Sequence, residues 1–227
     1  MNILAVDSCS IVATCALVSQ DKLIAESYLD HQKTHSQKLL PMIERLLEDA
    51  EFDIKQIDLF ACTIGPGSFT GQRIGIATIK GLAQGMGKPC AGVSALEAMA
   101  YNIPFTEHLL CPIMDARRDQ VYNGIYQWKN GELITIEKDR ALGIDELLDE
   151  LKGKKVIFLG DGVVPFGDRL NGFEIAPLHL SQLRGGSVAM LAKKAAQINL
   201  HELMPLYLRK SQAEREYELK HKTKEGE

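Results

Sequence analysis

A chain of 227 residues is long enough to bury a substantial core, in one domain or in two modest lobes. Hydrophobic residues make up 45% and charged residues 25%, the balance of an ordinary soluble globular protein. The formal net charge of -4 excludes a nucleic-acid binder held by bulk electrostatics, although a nucleic acid could still be the substrate of a larger assembly.

The N-terminal "MNILAVDSC" lacks the basic segment and long apolar stretch of a signal peptide. "NILAVD", "VATCALVS" and "KLIAESYL" read as three strands, the last two joined by a turn at "SQDK". In "THSQKLLPMIERLLEDA", Leu39, Ile43, Leu46 and Ala50 recur at helical spacing, with Thr34 or Ser36 placed to cap the start. "IDLFACTI" is a near-continuous apolar run, as in a strand covered on both faces. The glycine-dense "GPGSFTGQRIG" at 65–75 leads into a helix of small residues ending at Met86. "PCAGV" then reads as a short strand and "SALEAMAYN" as a capped helix.

From residue 109 the opening pattern returns. A second apolar strand ends in an aspartate (Asp115, as Asp7 ends the first), and a polar turn, a second strand, a tight turn and a third strand follow. A helix at 144–152, a strand "KVIFLGDG" and an Ala-rich helix "SVAMLAKKAAQI" complete this half. The duplication implies two similar α/β lobes, at 1–103 and 104–209, with a polar tail at 210–227. No stretch reaches the roughly 18 consecutive apolar residues of a spanning helix. The five cysteines form no Cys-x-x-Cys pair and fit a reducing cytoplasm.

Two lobes that each open on a strand–Asp–turn–strand hairpin resemble the actin-like/Hsp70-like/sugar-kinase ATPase fold. The sequence resembles the TsaB (YeaZ) family more specifically, through "ILAVDSCS" (3–10), "HSQKLLPMIERLL" (35–47) and above all "GPGSFTGQRIGIATIKGLA" (65–83). "SALEAMA" (94–100), "DARRDQVY" (115–122), "LGDG" (159–162) and "PLYLR" (205–209) extend the match over nearly all of the first 209 residues. The resemblance implies a non-catalytic subunit that supports transfer of threonylcarbamoyl to N6 of an adenosine beside the anticodon of tRNA. Its implied partners are a catalytic paralogue, TsaD, and a small P-loop ATPase, TsaE. ATP and metal then belong to those partners, no cofactor is required here, and tRNA is met only through the complex. The chain alone would form a homodimer. The implied contacts lie on the helices at 35–50 and 72–86, with Leu39, Ile43, Leu46, Ile76, Ile79 and Lys80 nearest the partner.

The alternative is an autonomous ATPase or kinase of the same fold. Against it, the glycine loop ends Thr70-Gly71-Gln72-Arg73 rather than in the Gly-Lys-Ser/Thr of a Walker A loop. Gly71 falls one residue late for a dinucleotide fingerprint, and Pro66 removes a backbone donor. Neither hairpin aspartate is followed by the glycine that active members of the fold carry. Asp7, Ser68, Thr70, Arg73, Arg117 and Gly160 are the candidate contacts should an anion or nucleotide bind. The loop glycines therefore read as a tight helix entry that points to a partner. A metallopeptidase reading rests on His31 and His35, spaced i, i+4 with no third ligand nearby, so no metal site is assigned. No serine nucleophile motif is present.

Overall fold

The computed structural model describes residues 1–30 and 35–209. Strands β1 (Asn2–Asp7), β2 (Val12–Ser19) and β3 (Lys22–Asp30) form an antiparallel meander, followed by helix α1 (His35–Asp49). Strand β4 (Leu59–Gly65), helix α2 (Phe69–Met86) and strand β5 (Cys90–Ser94) complete a sheet of order β3-β2-β1-β4-β5. The parallel strands β1, β4 and β5 are buried on both faces, which explains their continuous apolar runs. The short helix α3 (Ala95–Ala100) leads out of this lobe.

The second lobe repeats the plan. Strands β6 (Leu109–Asp115), β7 (Gln120–Lys129) and β8 (Glu132–Gly143) form the meander, and helix α4 (Ile144–Leu151) follows. Strand β9 (Val156–Leu159), helix α5 (Val163–Phe166) and strand β10 (Glu174–Ile175) then give the order β10-β9-β6-β7-β8, the same as the first sheet. Helix α6 (Leu178–Ser181) precedes α7 (Gly185–Lys194). The duplication read from the sequence is thus present strand for strand, with parallel and antiparallel pairings in matching places.

The expected second lobe at 104–209 ends early, however. Helix α7 packs on β1, β2, β4 and β5 of the first sheet. Glu26 of β3 fastens its start, accepting from the Gly186 N–H at 2.9 Å and pairing with the Arg184 guanidinium. The chain beyond α7 stays on the first lobe, where Ile198 bridges to Cys90 and Leu203 is buried. Helix α7 also stops at Lys194 rather than running on to 198, because the backbone turns to make that bridge.

Three apolar clusters hold the layers. One lies between the first sheet and the α1/α2 layer, and another between the second sheet and α4. The third joins the lobes through α3 and α7, with Ala95, Leu96 and Val188 packed among Ala5, Ala61, Leu110 and Leu159. Inside this layer Asp139 of β8 accepts hydrogen bonds from Tyr126 and from Ser94, whose hydroxyl also caps α3 by accepting from the Glu97 N–H. Burial raises the Asp139 carboxyl above its ordinary range, and burial with the nearby Asp139 does the same to Glu97.

The turn between β1 and β2 sits directly on the start of α2. The Cys9 carbonyl accepts from Ser68 N–H at 2.8 Å, and Ser8 Oγ donates to the Gly71 carbonyl at 2.8 Å. A Cβ on Gly71 would stand 1.9 Å from the Ser8 carbonyl oxygen, and one on Gly67 2.3 Å from that of Cys9. Further along the helix the situation reverses, since a Cβ on Gly81 or Gly85 would meet nothing within 4 Å.

Two outcomes follow. Gly71→Ala should cost at least about 2 kcal/mol by forcing the hairpin off the helix, whereas Gly81→Ala should stabilise by about 0.5–1 kcal/mol. Urea midpoints read both, and equal effects would break the account. For the inter-lobe carboxyls, a raised folded-state pKa means that the folded chain holds protons the unfolded chain has lost. Stability therefore falls as pH rises from about 4, the ordinary carboxyl range, through the raised values. Asp139→Asn should flatten that fall in urea midpoints measured across the interval; an unchanged slope would assign it to other groups.

Candidate functional site

In an α/β sheet the place to look for chemistry is the carboxyl end of the parallel strands. There the mouth between the lobes is formed by the turn after Asp7, the glycine loop after β4, the turn after Asp115 and the "LGDG" turn after β9. The segment Leu203–Arg209 crosses it.

Asp7 is fully buried and its oxygens are committed internally. Oδ1 accepts from the Cys9 N–H at 2.9 Å and from the Thr63 hydroxyl, and Oδ2 accepts from Ser10 Oγ at 2.6 Å. It locks the turn and is not presented to a ligand. Ser68 is the N-cap of α2, accepting from the Gly71 N–H at 3.2 Å. Thr70 is exposed on the first helical turn. The helix starts at Phe69, earlier than the sequence reading placed it, because Ser68 supplies that cap. Arg73 is exposed on the same turn and lies over the Phe69 ring at 4.8 Å, with Nε donating to the Tyr207 hydroxyl at 2.9 Å.

Across the mouth, Arg117 pairs with Asp115 at 3.2 Å. Arg117, Arg118 and Asp119 form a run of left-handed residues, unusual for side chains other than glycine. Gly160, at φ +98°, approaches the Ile113 carbonyl so closely that a Cβ would fall 2.3 Å from its oxygen, while its N–H donates to the Ser181 carbonyl at 2.8 Å. Beside it the buried Asp161 Oδ1 has no hydrogen-bond partner among the described residues, and burial raises the carboxyl to about 6. The six candidate anion contacts fall on both sides of the mouth. Ser68, Thr70 and Arg73 stand together at the head of α2, Arg117 and Gly160 belong to the other lobe, and Asp7 is sealed.

The glycine loop also corrects the reading that its glycines point to a partner. Gly67, Gly71 and Gly75 accommodate this chain's own Ser8–Cys9 turn, the Gly75 position lying 2.7 Å from Ser8 Oγ.

A second correction concerns the helices. Leu39, Ile43, Leu46, Ile76 and Ile79 are each at most 5% exposed and pack in this chain's own core, with Lys80 half-buried beside them. Their regular spacing marked the face turned toward the sheet. The opposite face presents Leu40, 52% exposed, with Glu44 and Glu48 on α1, and Ala77, Gly81, Gln84 and Gly85 on α2. Between the helices runs a groove of about 600 Å³ lined by Leu40, Leu47, Phe52, Ile54 and Leu82, with Glu44, Glu48, Glu51 and Asp53 also at its sides.

Thr34 and His31 lie outside the described residues, as does the side chain of His35, while Ser36 falls inside the helix rather than at its cap. Among the described residues no group of three or more His, Cys, Asp and Glu could hold a metal ion. The five cysteines are free and buried, and burial pushes the Cys9 thiol well above its ordinary range, the Asp7 charge adding to it. No described helix is long and apolar enough to cross a membrane. The sequence reading missed the contacts of Tyr207 and Arg209; its only signal was "PLYLR", set apart just before the charged tail.

Comparison with known proteins gives the geometry a family. Residues 24–167 match the family model of TsaD, tRNA N6-adenosine threonylcarbamoyltransferase. The chain is similar to the tRNA threonylcarbamoyladenosine biosynthesis protein TsaB of Bacillus subtilis (strain 168), at 35% identity over 94% of this chain and 96% of that one. YeaZ from Pseudomonas aeruginosa superposes with a TM-score of 0.79 at 27% identity, covering 91% of this chain and 99% of that chain. Component A of the (R)-2-hydroxyglutaryl-CoA dehydratase of Acidaminococcus fermentans shares the fold alone, with a TM-score of 0.50 at 13% identity over 86% of this chain and 98% of that one. The two-lobed actin-like architecture and the relative matched over almost its full length agree: this chain belongs to the TsaB family.

Proposed function

We propose that the chain is a non-catalytic subunit of the machinery that makes threonylcarbamoyladenosine in tRNA, pairing with a TsaD-like catalytic relative. The observation that carries this reading is the sealed first hairpin. Asp7 holds its own turn, and the α2 entry covers that turn where a phosphate would have to approach. In this reading ATP and metal belong to the partners, including a TsaE-like P-loop ATPase. tRNA is met through the complex, and the assembly works in the cytoplasm.

The pairing surface in this proposal is the solvent face of α1 and α2. Leu40 and Leu82 offer apolar contact, Ala77, Gly81 and Gly85 allow a second helix to approach closely, and the acidic residues at the groove select a basic counterpart. In the partner's absence the same apolar groove favours a homodimer.

Size-exclusion of the chain mixed with a TsaD-like relative at micromolar concentration should give a 1:1 complex. Leu40→Asp should weaken it at least about tenfold without lowering the melting temperature. Val164→Asp, on an exposed residue of the second lobe, should leave it intact. Absence of any complex, or equal effects of the two variants, would remove the proposal. Sub-millimolar binding of ATP with magnesium to the isolated chain would instead favour the autonomous nucleotide-binding reading.

A further inference from the structure

The mouth between the lobes is bridged by a short segment held on both sides. Leu203 is 1% exposed, its Cδ1 lying 2.9 Å from the Cβ position of Gly92. Leu206 N–H donates to the Ile64 carbonyl at the end of β4 at 2.8 Å. The Tyr207 ring lies flat on Phe69, with centroids 3.9 Å apart and planes within 5°, and Arg73 closes the stack from the side. Two residues on, the Arg209 guanidinium donates to the Ala116 carbonyl in the β6–β7 turn of the other lobe.

This hold is local and half-wet. Tyr207 is 40% exposed, so the stack competes with solvent. Beneath the segment, Gln72 is 2% exposed and packs against the same Gly65 that Leu206 O approaches, and its Oε1 has no hydrogen-bond partner among the described residues.

We propose that residues 204–209, anchored on the buried Leu203, are a releasable strap that closes the mouth between the lobes, with the Phe69–Tyr207–Arg73 stack as its catch. Opening breaks the ring stack, the Arg73 and Leu206 hydrogen bonds and the single bond of Arg209 to the second lobe, leaving the shared α3/α7 core intact. Arg73 is the point of control. No described carboxylate pairs with its guanidinium, so a carboxylate brought by a bound partner competes with Tyr207 for it. Such a partner moves the strap only as far as it prefers the open state. That last step rests on the pairing proposed above; the strap itself does not.

The test uses the full isolated chain, so its failure is separable from failure to pair. Spin labels go on Lys22→Cys and Lys152→Cys, exposed sites on the first and second lobes away from the α1/α2 face, the native cysteines being buried. Tyr207→Ala and Arg209→Ala should each lengthen or broaden the distance distribution between the labels. Exchange of the Leu206 amide should rise roughly tenfold in Tyr207→Ala and less in Tyr207→Phe, which keeps the ring and loses only the acceptor for Arg73. Distance distributions unchanged in both variants, or a Leu206 amide equally protected in Tyr207→Ala, would overturn the proposal.

Discussion

The contact between the Ser8–Cys9 turn and the first turn of α2 is the constraint around which the molecule is built. The hairpin can descend onto the helix only where side chains are missing, and Gly67 and Gly71 supply those gaps within 2.3 Å of the turn's carbonyl oxygens. Once seated, the turn is held by the Cys9 carbonyl, which accepts from the Ser68 N–H, and by the Ser8 hydroxyl, which donates to the Gly71 carbonyl. Asp7 holds the turn from within by accepting from the N–H of Cys9 and the hydroxyls of Ser10 and Thr63. A buried aspartate is tolerable only when its oxygens are so satisfied. Asp7 is in this way a structural tie of the first hairpin.

The second lobe shows the same device with a different outcome. Gly160 follows β9 as Gly65 ends β4, both at positive φ, and Gly160 and Gly162 close on the Ile113 carbonyl. In the turn after Asp115, by contrast, the left-handed run at Arg117–Asp119 is exposed. Arg209 reaches it through the Ala116 carbonyl, and Arg169 pairs with Asp119 at 3.5 Å. Two halves with identical strand order thus differ at the turn after the first strand: one is buried against the entry of α2, the other is exposed and held by Arg209 and Arg169.

How much of this was legible in the sequence depends on the range of the interaction. The strands, their order of appearance and the internal repeat follow from local apolar runs and turn residues, and the architecture holds to them. The helix faces were read wrongly for an instructive reason. Leu39, Ile43 and Leu46 carry the clearest helical period, and a clear period marks the face that the chain itself buries. Leu40, apolar and off that stripe, is left 52% exposed. The swing of α7 onto the first sheet could not be read at all. It depends on Glu26 meeting Arg184 and Gly186, residues about 160 positions apart whose types alone name no partner. Tyr207 and Phe69 are coupled across a similar separation.

The glycines of α2 divide into two physical classes that composition alone merges. Gly71 and Gly75 lie under Ser8, where any side chain would collide, so their cost to helix propensity is offset inside the molecule. Gly81 and Gly85 have nothing within 4 Å to justify them, and a mid-helix glycine costs about 1 kcal/mol relative to alanine. Nothing among the described residues compensates for that loss. A second surface approaching to backbone distance would, because the absent side chains then become contact area. The same helix thus has its first turns committed to the hairpin and the strap, and its last turns open and thinly covered. A partner lying along α2 would touch both, at Gly81 and Gly85 by packing and at Arg73 by charge, and could be felt at the mouth between the lobes.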